Sequence, residues 1–190
     1  MSSEKHAVRE NDAERLAVAG QQLLDRIAGV MGRVEWADFL ELADRLPRAR
    51  RTFVWGAGRS GLVARSFGMR LMHAGLTAFI PGETITPATG PGDLLVAISC
   101  TGKTGISDYF VHRARQLGAS VVVITSDAAS PMARDGDKTV LVPADDDDIV
   151  YRAAVFEHAT SLCLDAVFNV LSERLKLDQT AFWQRHANLE

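Results

Sequence analysis

Two short stretches of this chain, Leu-Leu-Val-Ala-Ile at 94–98 and Ser-Val-Val-Val-Ile-Thr at 120–125, are apolar without alternation. A strand with one wet face alternates polar and apolar residues. An unbroken run is covered on both faces, as the strands of a parallel sheet are. Weaker strand signals occur at 52–55, 77–80 and 139–142, with helical periodicity between them at 60–74, 105–117 and, briefly, 131–134. Alternating strands and helices predict βαβ units with right-handed crossovers, hence an α/β fold. Two helical patterns precede the first strand. One spans 8–30 through Val8, Leu16, Leu23, Leu24, Ile27 and Val30, and the other spans 34–46 and is ended by Pro47. A last long helix covers 152–175. The chain divides as one domain over 1–190, with a helical lead-in at 1–50, a sheet core at 51–176 and a tail at 177–190. Helices outside the first βα unit either cover the sheet or pack on another subunit.

Composition narrows the class. A chain of 190 residues, 47% hydrophobic, buries about 70% of its unfolded surface and needs no disulfide or metal to hold a core. A formal net charge of −3 argues against a nucleic-acid partner, which calls for a basic face. Two cysteines, Cys100 and Cys163, fit a reducing compartment, and the expected location is the cytoplasm. There is no apolar run of about 18 residues, so no membrane span is expected. Charged residues Glu4, Lys5, Arg9 and Glu10 occupy the place of a secretory apolar segment. Four adjacent carboxylates, Asp145 to Asp148, read as a solvated loop, because metal ligands are spaced and convergent.

Function in a parallel sheet gathers beyond the carboxyl ends of the strands. Two loops stand there. The first is Gly56-Ala57-Gly58-Arg59-Ser60-Gly61. Glycines let backbone N–H groups approach an anion, the following helix adds partial positive charge, and Ser60 either caps that helix or donates to a ligand. Its G-x-G-x-x-G spacing also fits a dinucleotide fingerprint, with Glu83 after the next strand as the ribose-binding acid, or a tight turn with no ligand. The second loop is Ser99-Cys100-Thr101-Gly102-Lys103-Thr104, with three hydroxyls in six residues. Gly-Lys-Thr resembles the tail of a nucleotide-binding P-loop, but Ala97 stands where that motif needs its first glycine. Two anion-friendly loops converging on one site suit a phosphorylated sugar better than a dinucleotide.

The segments VWGAGRSGLVARSFGMRLMHAGL (54–76), GETITPA (82–88), GDLLVAIS (92–99), ITS and SPMA within 124–133, Phe156-Glu157 and the terminal HANLE carry a resemblance. They resemble the sugar isomerase (SIS) domain superfamily, and within it the branch that interconverts a 3-ketohexose 6-phosphate with fructose 6-phosphate. The resemblance implies a flavodoxin-like αβα sandwich around a five-stranded parallel sheet, with no metal or organic cofactor. It implies a phosphorylated sugar as ligand and a homo-oligomer, tetramer or dimer, with sites near subunit contacts. By position it implies that Ser60, Ser99, Thr101 and Thr104 hold the phosphate in loops shaped by Gly58 and Gly102. Arg59 would sit beside the substrate, Glu157 would be the base, and His186 would handle protons near the sugar oxygens. Two stretches depart from the superfamily pattern. The second loop there usually reads S-G-S-G-E-T, so Cys100 adds bulk and Lys103 reverses a charge. Arg152-Ala153-Ala154-Val155 replaces a Pro-Met-Gly-like stretch. Both border the site and bear on which phosphosugar is taken, or on whether the module only binds one.

The reaction that the resemblance implies has definite chemical needs. Moving a carbonyl along a sugar needs a base that takes a C–H proton and returns it to the neighbouring carbon, work a sheltered carboxylate can do. Glu157 lies on an apolar helix; His158, next to it, points about 100° away. His186 is a candidate proton shuttle because histidine is the residue type suited to that role. Glu83, Thr84 and Thr86 either line the site or fix their loop. Cys100, at a helix start, is a candidate low-pKa thiol. Cys163 and His73 read as packing residues.

Overall fold

The computed structural model describes residues 2–145 and 147–189, with side chains from residue 11 onward, apart from that of residue 150. Helices α1 (Ser2–Met31) and α2 (Trp36–Arg45) come first, and a 3-10 turn at Leu46–Arg48 holds Pro47. Then follow β1 (Thr52–Gly56), α3 (Gly58–His73), β2 (Ala78–Phe79), β3 (Leu94–Ile98), α4 (Gly105–Gln116), β4 (Ser120–Thr125), α5 (Pro131–Asp135), β5 (Lys138–Leu141), α6 (Ile149–Arg174) and α7 (Gln179–Gln184). The five strands form one sheet in the order β2-β1-β3-β4-β5, and every pairing is parallel.

The unbroken runs behave as their sequence dictates. All five residues of β3 are buried, and only Ser120 of β4 reaches the surface. Successive side chains alternate between faces. Val54, Val96, Ile98, Val122, Ile124 and Val140 meet α1, α2, α3 and α6, while Phe53, Leu95, Ala97, Val121 and Val123 meet α4 and α5. Both faces are therefore covered, and the α/β sandwich expected from the sequence is the fold. Tyr151–Arg174 has the length and mean hydropathy, 1.2, of a membrane-crossing helix. Its apolar side chains Phe156, Ala159, Cys163, Val167 and Leu171 are instead spent on the sheet and its helices.

Two local expectations are corrected. The strand expected at 77–80 is only two residues long, because it pairs with β1 at Thr52 and Phe53 alone before Pro81 and Gly82, at φ +90°, turn the chain away. The lead-in helix does not bury a continuous apolar face. Ile27 and Val30 are in the core, but Leu16 and Leu24 are 74% and 61% exposed. Val8 lies outside the residues whose side chains are described. The tail carries a short helix, with Asp178 capping α7 by accepting from the Ala181 N–H at 2.6 Å.

Candidate functional site

The strand order reverses between β1 and β3, whose following helices α3 and α4 pack on opposite faces. The loops after those two strands therefore flank an open crevice at the carboxyl end of the sheet, the general place for ligands in this topology. They are the two loops singled out in the sequence.

The first loop is a close approach of strand end and helix start. A Cβ on Gly61 would lie 2.5 Å from the Gly56 carbonyl oxygen, so no larger residue fits. Ala57 occupies the capping position of α3 and makes no side-chain cap bond. Ser60 lies inside the first turn, buried at 8% exposure, and is not the cap. The first-turn N–H groups and the Ser60 hydroxyl are left facing the crevice end of the helix.

The second loop is folded by its own hydroxyls. Gly102 N–H donates to Ser99 Oγ at 3.2 Å, and Lys103 N–H donates to Thr101 Oγ1 at 3.3 Å. Ser99 Oγ also lies 3.5 Å from Thr104 Oγ1. Thr104 is the capping residue of α4 and makes no cap bond. Ser99 and Thr101 spend acceptor capacity on the loop and keep their O–H groups for donation. Gly102 has φ +59°, and a Cβ there would stand 2.1 Å from Ser130 Oγ, so Ser130 and Thr125 form the floor beneath the loop. Trp55, at the end of β1, ties α4 to the site by donating from Nε1 to Ser107 Oγ at 3.1 Å.

Glu157 comes from the third turn of α6. It is buried at 8% exposure, and its Oε2 accepts a short hydrogen bond from Arg59 Nε. Residues 98 apart in sequence are thus joined across the crevice, a buried carboxylate with one exposed cation and a hydroxyl cradle beside it. This is what proton transfer on a bound anion requires: a base out of water, an adjacent cation, and donors for the anion. His158, the next residue, is exposed, as the helical turn demands.

Other expected residues have different partners. Lys103 Nζ pairs with Asp127 at 2.9 Å, and this ammonium holds the Asp127 carboxyl low. Glu83 pairs with Arg65, and Thr86 donates to the Ile80 carbonyl at 2.5 Å, so both fix their own loop. The Cys100 thiol is not activated. Burial pushes it up, against smaller opposing effects of Ser126 and Arg152, and Glu157 adds to the rise. His186 is not brought to Glu157 within the chain. It stacks on His73, ring centroids 4.6 Å apart, at the far end of α3. Arg59 and His73 are fourteen helical steps apart, about 20 Å. Asp145 is taken by Arg33 at 2.6 Å, and among the described residues no His, Cys, Asp or Glu cluster fits a metal ion. Asp146 lies outside the described residues. Trp55 and Ser130 lie within the segments that carry the resemblance, but their roles, like that of Asp127, rest on contacts the fold creates and were not legible in the sequence.

Residues 45–169 match the model of a family described as the SIS domain. A 3-hexulose-6-phosphate isomerase of Mycobacterium gastri is 36% identical over 173 residues, covering 87% of each chain. Its Bacillus subtilis counterpart is 35% identical over 158 residues, covering 79% of this chain and 85% of that one. A Methanococcus jannaschii crystal structure, from which the function of a 3-hexulose-6-phosphate isomerase was inferred, superposes with a TM-score of 0.80 at 29% identity, covering 93% and 99% of the two chains.

Proposed function

The chain belongs to the SIS domain family, and from that premise we propose that it is a 3-hexulose-6-phosphate isomerase, working through an enediol. The observation that carries this is the buried Glu157 at the crevice, held by Arg59 beside the hydroxyl loop. The phosphate sits on Ser60, Ser99, Thr101 and Thr104 and on the helix-start N–H groups, which suit a phosphate monoester. Glu157 takes the proton from C2 of the 3-ketose, and the C–H electron pair becomes the C2–C3 double bond of an enediolate. As the enediolate collapses, the O2 proton passes to O3, the carbonyl forms at C2, and Glu157 returns its proton to C3. Arg59 spans carboxylate and substrate oxygens and stabilises the developing negative charge.

His186 has a place in this reaction only where a second copy carries it to the crevice. Assembly of identical copies is part of the proposal. Exposed Leu16, Val18 and Leu24 on α1 support it, as does an apolar groove of about 440 Å³ between α2 and α6 lined by Trp36, Leu40 and Val170. The cytoplasmic location rests on the two free thiols. A second reading is an isomerase for another phosphosugar, favoured by Cys100, Lys103 and Arg152 around the cradle. One experiment separates the two. Fructose 6-phosphate incubated with the protein in deuterated water gains label at C3 if the 3-ketose is the partner. Label at C1 alone would assign an aldose partner, and no label would remove the 3-hexulose-6-phosphate reading in favour of another phosphosugar.

A further inference from the structure

A phosphate monoester carries close to two negative charges, and hydroxyls and N–H groups alone leave that charge uncompensated. Both cations that the sequence placed at the cradle are already committed, Arg59 to Glu157 and Lys103 to Asp127. A third cation borders it. Arg152 lies on α6, five residues before Glu157, so about 7.5 Å back along the helix axis towards its start. Its side chain is half-buried, and Nε is buried without a hydrogen-bond partner. A buried guanidinium N–H left without a partner costs stability unless something in the working state satisfies it. The guanidinium also stands near Cys100, the second residue of the phosphate loop. Its charge favours the Cys100 thiolate, and the Glu157 carboxylate opposes it. Arg152 and Glu157 lie about 140° apart around α6, and both are close enough to act on the Cys100 thiol, so the three meet around the start of the second loop.

We propose that Arg152 is a substrate-binding residue that supplies the phosphate's countercharge, its unpartnered Nε–H donating to a phosphate oxygen held by the 99–104 loop. This rests on the isomerase reading for its substrate but not for its geometry. The planar fork of arginine matches a phosphate in two bonds, whereas a lysine supplies one charge and no fork. The same meeting place holds both departures from the superfamily pattern, the bulkier Cys100 and the Arg152 stretch. They form one altered phosphate subsite, and Arg152 is its charged part.

The test compares wild type with Arg152→Ala and Arg152→Lys. Binding of inorganic phosphate and of fructose 6-phosphate is followed by calorimetry, and KM and kcat by turnover. Arg152→Ala is expected to weaken both ligands 10- to 100-fold and to raise KM by the same factor, with kcat changed less than threefold and an unchanged melting temperature. Arg152→Lys recovers part of the phosphate affinity. Unaltered phosphate affinity in a folded Arg152→Ala protein overturns the inference, as does an equal fall in kcat with KM preserved. Wild type that binds fructose 6-phosphate without labelling it overturns the 3-hexulose-6-phosphate reading alone. Wild type that binds neither ligand overturns both.

Discussion

One buried carboxylate stands near each end of the sheet, and the two are held in opposite ways. Asp93 lies at the amino end, just before β3, with a side chain that is 0% exposed. Arg50 and Arg51 each meet both of its oxygens, at 2.7 to 3.1 Å, and the Gly90 N–H adds a bond at 3.0 Å. Burial alone pushes this carboxyl up, but Arg51, Arg50 and Gly90 together outweigh it and hold it well below the usual carboxylate range. Glu157, at the carboxyl end, has Arg59 on one oxygen, and that arginine side chain is 65% exposed. Asp93 is saturated and closes the end where the chain enters the sheet. Glu157 is sheltered but left with acceptor capacity and an exposed partner. A carboxylate with every lone pair spent builds a fold, and one with lone pairs to spare can take a proton.

The comparison breaks first at Glu157. Glu157→Gln keeps the volume and removes the base. Its kcat is expected to fall about 1,000-fold, worth about 4 kcal/mol, within the range for a general base. Its melting temperature is expected to stay within a few degrees of wild type, since the carboxylate is not saturated. A Glu157→Gln protein that still exchanges deuterium into C3 at the wild-type rate removes Glu157 from the chemistry.

Asp93→Asn is the mirror image. It leaves two guanidinium groups facing a neutral amide and is expected to cost about 3 kcal/mol, as breaking a buried ion pair does. For a chain of this size that lowers the melting temperature by about 10 °C. The kcat of the folded protein at 25 °C should be unchanged. The pH dependence has a definite sign. The native carboxyl titrates below its unfolded value, near 3.9, so its contribution is complete above about pH 4. It is lost as pH falls from there through the depressed native value. Urea denaturation from pH 6 down to 2 should show a shallower acid limb in Asp93→Asn. Equal limbs in the two proteins would deny Asp93 this role.

The loop between these extremes gives a smaller effect. Gly102→Ala puts a methyl group 2.1 Å from Ser130 Oγ at a φ of +59°, and an L-residue there costs roughly 1–2 kcal/mol before any clash. The displaced loop should lower kcat/KM about 10- to 30-fold, chiefly through KM, because Ser99 and Thr104 lose their placement while Glu157 keeps its own. A preserved KM would mean that the phosphate does not rest on this loop.

Much of the carboxyl end was legible in the sequence, and little of the amino end. The runs at 94–98 and 120–125 declared buried parallel strands because burial on both faces removes alternation. The two loops declared themselves through glycines and hydroxyls clustered within six residues. Glu157 was reached by resemblance, since an acid on an apolar helix has no local mark of its use. Its bond to Arg59 spans 98 residues and depends on where α6 crosses the sheet. The Asp93 network needed β1 and β3 in register, Thr52 opposite Leu94, before Arg50 and Arg51 could converge on it. The placement of His186 followed from α7, whose packing through Phe182 onto His73 and Phe168 no periodicity in so short a tail could foretell.

The tail gives the smallest effect and the finest test of the division between the two ends. Burial lowers the pKa of His73, and His186 and Arg70 lower it further. In the native state His73 resists protonation, so its share of stability is present above its unfolded value near 6.5. That share is lost as pH falls from there towards the lower native value. His186→Ala removes one of those opposing neighbours along with the ring stack. Stability should change by less than about 1 kcal/mol at pH 8, the size of a single ring contact, and its decline between pH 7 and 5 should flatten. With His186 some 20 Å from Arg59 along α3, kcat should stay within about threefold of wild type. A fall of more than tenfold with the melting temperature unchanged would show instead that the tail of one copy reaches the crevice of another, and the separation of a structural from a catalytic end would then hold within each chain but not across the assembly.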